Sequence, residues 1–238
     1  MIDLCTGVLA DVDRALRRET ARLSSRGPAP RLLLDVGCWD GVATARYSAI
    51  LGCAACGIEV FAGPAASARE LGIEVAEIDL EREPFPWGDE SFDVVVANQV
   101  FEHLKNIWLP MSEIFRVMRP GGALILSVPN LASLHNRILL AAGGQPTSIR
   151  TLGPHVRGYT RREIRKFVTL GDRFEVVRAF GVGFYPLPAR WARPFAALWP
   201  GASHTSVIVG RKRAGAGRSP WLARIEDDLA SGIQTSYL

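Results

Sequence analysis

The sequence predicts an α/β protein built on a doubly wound, mostly parallel sheet of seven strands. Three observations carry this expectation. Short continuous apolar runs alternate with amphipathic stretches of helix length. The run Leu32 to Val36 passes through Gly37 and Gly41 into a helical stretch, the strand–turn–helix pattern of nucleotide-binding folds. The chain's 238 residues, 48% hydrophobic and 22% charged, suffice for one α/β domain of full size.

Leu4, Val8, Val12 and Leu16 share one helical face, and Arg14, Arg17, Arg18 and Glu19 lie elsewhere, so an amphipathic helix opens the chain and packs on the rest. Gly27, Pro28 and Pro30 end it, which sets residues 1–30 ahead of a domain spanning 31–212. Strand 31–36, helix 41–51, strand 54–59, helix 62–71, strand 74–78, a polar loop and strand 92–97 follow in order. Pro110 opens a helix whose Met111, Ile114, Phe115 and Met118 recur at helical spacing. Arg119 to Gly122 stop that helix, and Ala123 to Val128 is a continuous apolar strand. Five strands with four intervening helical connections require a parallel sheet buried on both faces. Helices at 131–141 and 160–170, the second with Thr160 as its cap and Glu163 three residues on, precede strands at 173–180 and 204–211. Residues 131–159 and 181–203 are inserts, the second rich in proline and aromatics and too long for a hairpin turn. Residues 213–238 form a loosely attached tail.

No apolar run reaches the roughly 18 residues of a membrane span, and the N-terminus lacks a signal pattern, so a cytoplasmic protein is expected. Cys53 and Cys56 form a C-x-x-C at the approach to a buried strand, with no second pair and no nearby histidine, which points to packing. No Cys/His cluster, EF-hand loop or H-E-x-x-H suggests a metal. Charge is uneven: 12 basic against 18 acidic residues up to Pro129, then 16 against 6 from Asn130 onward, a basic second part that favours anionic partners.

The turn after the first strand narrows the chemistry. A dinucleotide loop of the G-x-G-x-x-G type needs glycines at 37, 39 and 42, whereas this chain has Gly37, Trp39 and Val42. The middle glycine lets backbone approach a pyrophosphate, and an indole there forbids it. A nucleotide without phosphates has no such need. S-adenosylmethionine is one: its site asks for a tight turn (Gly37), a small residue opening the helix (Gly41) and negative charge near the ammonium and sulfonium (Asp35).

With DVGCWDG over 35–41, GIE ending at Glu59, Asp79-Leu80, FPWGDESFDVVVANQVFEHL and FRVMRPGGALILSVPN, the chain resembles the class I S-adenosylmethionine-dependent methyltransferases over roughly residues 30 to 211. The resemblance implies a Rossmann-like sheet whose last strand is antiparallel, with S-adenosylmethionine as cofactor. It implies that Glu59 holds the ribose hydroxyls and that Asp79 and Leu80 contact the adenine. The cofactor site extends to Asp35, Gly37, Cys38, Trp39, Gly41, Val60, Asn98 and Gln99. Acceptors are expected at the carboxyl edge of the sheet, where His103 follows strand four. His103 is the candidate catalytic base for a hydroxyl acceptor, or else it shapes the pocket. Glu102 orients a neighbour. His135, Arg137, His155, Arg157 and Tyr159 line the acceptor side, or form a polar loop before the next helix. His204, Trp87, Trp108 and Trp221 are structural.

These readings predict methyl transfer to a small molecule at oxygen, with a glycan or specialised metabolite as acceptor, anionic or lipid-linked. Within 184–199, Trp191, Phe195, Leu198 and Trp199 recur at helical spacing with Arg190 and Arg193. They form either a short helix closing the core or an acceptor lid in peripheral contact with a membrane. The rivals are a cofactor-binding accessory subunit without turnover, a nicotinamide-dependent oxidoreductase, which Trp39 and Val42 disfavour, and a nucleic-acid methyltransferase. For the last, the Asn98 region lacks the D/N-P-P-Y/F/W tetrapeptide, so no nucleic-acid partner is expected.

Overall fold

A computed structural model describes residues 2–24, 32–214, 219–223 and 226. Within them run α1 (Ile2–Ser24), β1 (Leu32–Val36), α2 (Val42–Leu51), β2 (Ala54–Ile58), α3 (Ala62–Glu70), β3 (Glu74–Ala76) and β4 (Phe92–Asn98). Then come α4 (Trp108–Val117), β5 (Met118–Pro129), α5 (Leu134–Ala141), α6 (Arg161–Val168), β6 (Phe174–Val182), α7 (Ala189–Leu198) and β7 (Thr205–Lys212). The sheet order is β3-β2-β1-β4-β5-β7-β6. β7 runs antiparallel to both neighbours, and the pairings among β1 to β5 are parallel.

Alternation along the strands builds two cores. Leu33, Val94, Val96, Ile125, Val207 and Val209 face Val8, Val12 and Leu16 of α1 and Tyr47 and Leu51 of α2. Leu34, Val36, Val95, Ala97, Leu124, Leu126 and Ile208 face Met111, Ile114 and Phe115 of α4, Ile164 and Val168 of α6, and the fully buried Trp221. Successive strand residues point to opposite faces, so near-continuous apolar strands are what a sheet covered on both sides demands. Each large apolar side chain buried this way contributes about 1.5–3 kcal/mol. The stretch expected to be a loosely attached tail is instead anchored at Trp221, whose indole N–H donates to the Phe167 carbonyl at 2.9 Å; Leu4 and the residues from 227 lie outside those whose side chains are described.

Three expectations need correction. Of the four helical connections expected among the first five strands, the one from β3 to β4, residues 77–91, is the expected polar loop, turn-rich and without a helix. It holds its shape through Glu81 and Glu83, whose carboxylates accept backbone N–H groups of Asn106 and Asp79 (2.7 and 2.8 Å). α4 begins at Trp108, ahead of Pro110, because the Asn106 side chain accepts the Trp108 and Leu109 N–H groups (3.1 and 3.3 Å) that would otherwise be orphaned. Arg119 to Gly122 do not separate helix from strand: β5 starts at Met118 against Phe92 and shifts register before Val94 meets Ala123. Thr160 caps α6 as expected, its hydroxyl accepting the Glu163 N–H at 3.2 Å. Trp87 and Trp108 sit edge-on to Phe92 and Phe167, at 5.3 Å in each case, and are packing residues.

Gly41 ties the fold to the site. It adopts φ 77°, and a Cβ there would stand 2.7 Å from Cα and Cβ of Ala68 on α3. Gly41→Ala should therefore cost about 2–4 kcal/mol through left-handed strain and overpacking, read as a lower urea midpoint at unchanged slope.

Candidate active site

The turn after β1 is fastened to the end of β2. The N–H groups of Gly37 and Cys38 both donate to the Ile58 carbonyl, each at 2.9 Å. Gly37 has φ 74°, and a Cβ on it would fall 2.7 Å from Cγ2 of Val100. Trp39 also takes a left-handed conformation, with φ 49°, one residue type that pays about 1–2 kcal/mol to do so. The Glu59 carboxylate offsets that cost. One oxygen accepts the Trp39 N–H at 3.1 Å and the other accepts the Phe61 N–H at 3.0 Å. Charge-assisted bonds of this kind are worth about 1.5–3 kcal/mol. The Trp39 ring is 57% exposed and meets Phe61 edge-on at 6.1 Å, while Val60 between β2 and α3 is also exposed. Cys38 turns its thiol into the core beside Ala65 and Ala68, and burial pushes that thiol up to about 12.

Asp35 lies near the end of β1, buried, with its carboxylate accepting the Thr44 hydroxyl at 2.6 Å. Burial pushes it up to about 7, and the Thr44 bond pulls the other way. Asp79 follows β3 and shapes its own turn by accepting the Glu81 N–H at 2.9 Å; Leu80 packs on the core. Asn98 closes β4 and accepts the Ser127 hydroxyl at 2.5 Å. Gln99, at φ 59°, donates its side-chain amide to Ser127 Oγ at 3.1 Å. Asp35, Glu59, Asp79 and Asn98 thus gather where parallel strands end, the edge at which α/β sheets bind ligands.

Beyond Gln99 a 3₁₀ turn, Phe101–His103, carries the candidate base. The His103 ring is 4.8 Å from that of His155, and its Nδ1 lies 3.3 Å from the Pro154 carbonyl. Burial, and then His155, hold its pKa below the ordinary histidine value. A strap formed by residues 154–159 clamps this turn. Val156 and Arg157 N–H groups donate to the Glu102 carbonyl (2.9 and 3.1 Å), Arg157 Nε donates to the Leu104 carbonyl (3.1 Å), and the buried Tyr159 hydroxyl donates to the Phe101 carbonyl (3.1 Å). Arg157 and Tyr159 therefore position the turn. Glu102 is 1% exposed, and neither carboxylate oxygen takes a hydrogen bond from another described residue. Burial pushes it up to about 8. His135 stands apart, its Nε2 2.6 Å from the Thr147 hydroxyl and its ring 5.0 Å from Tyr185. Arg137 donates to the Ala132 and Gly201 carbonyls (2.7 and 3.3 Å) and lies over the Trp199 ring, so it joins the two inserts.

The sequence profile of a methyltransferase-domain family matches residues 8–169. The chain belongs to the class I S-adenosylmethionine-dependent methyltransferases. Among its relatives, the ubiquinone biosynthesis O-methyltransferase of Caulobacter vibrioides is 28% identical over 76% of this chain and 74% of that protein. A probable S-adenosylmethionine-dependent methyltransferase of Mycolicibacterium smegmatis is 30% identical over 69% of this chain and 56% of that one. The solved structure of a Thermotoga maritima methyltransferase, described as a possible histamine N-methyltransferase, shares the fold with TM-score 0.55 at 18% identity, covering 84% of this chain and 92% of that one.

In this methyltransferase the motif residues cluster as the strand order requires, but several partners escape a reading of sequence. Thr44, Phe61 and Ser127 carry no motif signal and become visible only as hydrogen-bond partners of Asp35, Glu59 and Asn98. The approach of His155 to His103 depends on the strap, which no periodicity announces. Among the described residues no helix is long and apolar enough to cross a membrane.

Asp35 gives a pH prediction. Its folded pKa, about 7, exceeds the unfolded value of about 3.9, so its share of stability is full below about pH 4 and is lost as pH rises through about 7. Asp35→Asn should therefore gain in melting temperature over the wild type between about pH 5 and 8. A difference that stays flat across that window would show Asp35 ionised in the protein without cofactor.

Proposed function

We propose that this methyltransferase transfers its methyl group to a hydroxyl of a small-molecule acceptor, a glycan or specialised metabolite in anionic or lipid-linked form. The observation that carries the reading is His103, held by the strap at the carboxyl edge beyond β4, with a lowered pKa that keeps it neutral near pH 7. A neutral imidazole accepts the proton a hydroxyl must lose, and methyl transfer otherwise needs alignment and exclusion of water. The Caulobacter relative's name, an O-methyltransferase of ubiquinone biosynthesis, supports oxygen as the methylated atom.

In this reading the Glu59 carboxylate, which uses one lone pair of each oxygen on the turn, keeps acceptor capacity for the ribose hydroxyls. Asp35 faces the cationic end of the cofactor, with Gly37, Cys38 and Gly41 shaping the turn beside it, and Trp39 and Val60 wall it. Asp79, Leu80, Asn98 and Gln99 complete the cofactor's surroundings. His135, Arg137, His155, Arg157 and Tyr159 build the acceptor side, the last two through the strap.

A membrane-facing acceptor side has its own support. Ile138 and Leu140 of α5 and Trp191, Phe195 and Leu198 of α7 are each about half exposed or more, as is Trp199. Arg193 of α7 shares a cleft of about 240 Å³ with Arg14, Arg18 and Arg178. Exposed apolar side chains and an arginine on one helix, as on α7, suit an anionic interface. The Arg190 side chain lies outside the described residues.

Glu59→Ala should weaken S-adenosylmethionine binding by ~10-fold or more, whereas His103→Ala should leave that affinity nearly intact and lower turnover by ~10²–10⁴. Calorimetry and an acceptor screen with labelled cofactor measure the two effects. Turnover within a few-fold of wild type would reduce His103 to shaping the pocket. On liposomes, the wild type should sediment with anionic and not neutral lipid, and an Arg190/Arg193→Ala double variant should lose most of that binding. Indifference to lipid charge would leave a water-borne acceptor.

A further inference from the structure

Four arginines converge where α1, β6 and α7 meet. Arg14 and Arg18 stand one turn apart on α1, Arg178 comes from β6 and Arg193 from α7. They line the cleft of about 240 Å³, and the small residues Ala15, Gly181, Gly183 and Ala196 beside them leave its space open. Three features set this cleft apart from a solvated charged surface. First, its charge is unbalanced. Among the described residues Asp11 is the one acid lining the cleft, and it pairs with Arg14, whereas Arg18, Arg178 and Arg193 take no carboxylate. Second, the cations are close enough to oppose one another. Burial, and then the charges of Arg193 and Arg18, hold Arg14 below the usual guanidinium range. Like charges gathered in one concave site repel each other and raise the potential felt by an anion. Third, Arg178 is held in place. It alternates with Phe180 and Val182 along β6, on the sheet face that α1 covers, and its guanidinium lies over the Phe180 ring at 4.9 Å. Stacking of this kind leaves the N–H edge of the guanidinium open to a ligand.

The cofactor has no use for such a cleft. S-adenosylmethionine carries no phosphate, and β7, β5 and β4 stand between β6 and β1, the strand that bears Asp35. We infer that the cleft binds the phosphoryl group of a phosphate or diphosphate ester. A lone carboxylate would leave most of the positive charge unmatched. A phosphate monoester brings about −1.5 to −2 charge at pH 7 with three acceptor oxygens, and a second linked phosphoryl group brings more. Guanidinium forks engage such oxygens two at a time. The cleft also borders the acceptor side: Gly183 lines it, and Tyr185, two residues on, meets the His135 ring at 5.0 Å. The inference deepens the proposal of an anionic acceptor and rests on it for the ligand's role. The phosphoryl group is the acceptor's charged anchor, and residues 183–185 join the anchor to the acceptor side.

The test is calorimetric binding of inorganic pyrophosphate to the full chain, without acceptor or turnover, so that a neutral acceptor found in the screen leaves its outcome untouched. The wild type should bind one equivalent at micromolar affinity, weakening as salt is raised. Arg18→Gln and Arg178→Gln, at exposed positions away from α7, should each weaken binding by about tenfold or more. Saturating S-adenosylmethionine should leave the pyrophosphate affinity unchanged, and the melting-temperature rise it gives each variant checks folding. Displacement of bound pyrophosphate by phosphatidate vesicles assigns the site to a lipid headgroup. Displacement by glycerol phosphate and not by vesicles assigns it to a water-borne ester. The proposal is overturned by absence of stoichiometric pyrophosphate binding, by unchanged affinity in both folded variants, by competition with S-adenosylmethionine, or by displacement with neither ester.

Discussion

β1 lies between β2 and β4, and the chain winds outward from it in both directions. The loops leaving β1 and β4 therefore depart to opposite sides, and a crevice opens between their carboxyl ends. Asp35, Glu59, Asp79 and Asn98 stand around that edge. Parallel pairing enforces it, because parallel strands need crossovers and every crossover returns to the same edge. The acidic residues that close β1 and β2 and follow β3 are brought to one rim by topology, although the sequence scatters them between Asp35 and Asp79. Burial of both sheet faces fixes the strands' register, and with it the height at which each rim residue stands.

At that rim the Glu59 carboxylate has two tasks. It holds the backbone of Trp39 and Phe61, and it stands where a cofactor's ribose is expected. A tryptophan in a left-handed turn is unfavourable by itself, and the neighbouring carboxylate makes it affordable. The exposed aromatic pair that results borders the crevice with a surface a glycine loop lacks. Local strain and a buried carboxylate thus share a few atoms, as they often do at functional sites.

The sheet was legible in the sequence because apolar periodicity reports burial directly: Val94 to Ala97 and Leu124 to Val128 alternate between two cores and allow no other placement. Boundaries set by side-chain capping were less legible. Asn106 moves the start of α4 ahead of Pro110, and nothing in hydrophobic spacing encodes a hydrogen bond to a loop residue. The loop 77–91 was expected to be polar, and its acidic side chains hold the backbone without a helix. In the site, Asp35, Glu59, Asp79 and Asn98 follow from motif order. The meeting of His155 with His103 does not, because it arises from hydrogen bonds to main-chain carbonyls between two irregular segments, and no periodicity encodes such contacts.

Those bonds to main-chain carbonyls separate two constraints. The strap grips the turn through the carbonyls of Phe101, Glu102 and Leu104, atoms that every sequence possesses, and on its own side needs only two side-chain donors, Arg157 and Tyr159. Side chains in the stretch before it, and on α5 and α7, are thereby released from holding His103 in place. The surface of α5 and α7 can change residue by residue while the turn that carries His103 keeps its geometry. One scaffold can therefore accept drift in its inserts without passing through forms in which that turn has come apart.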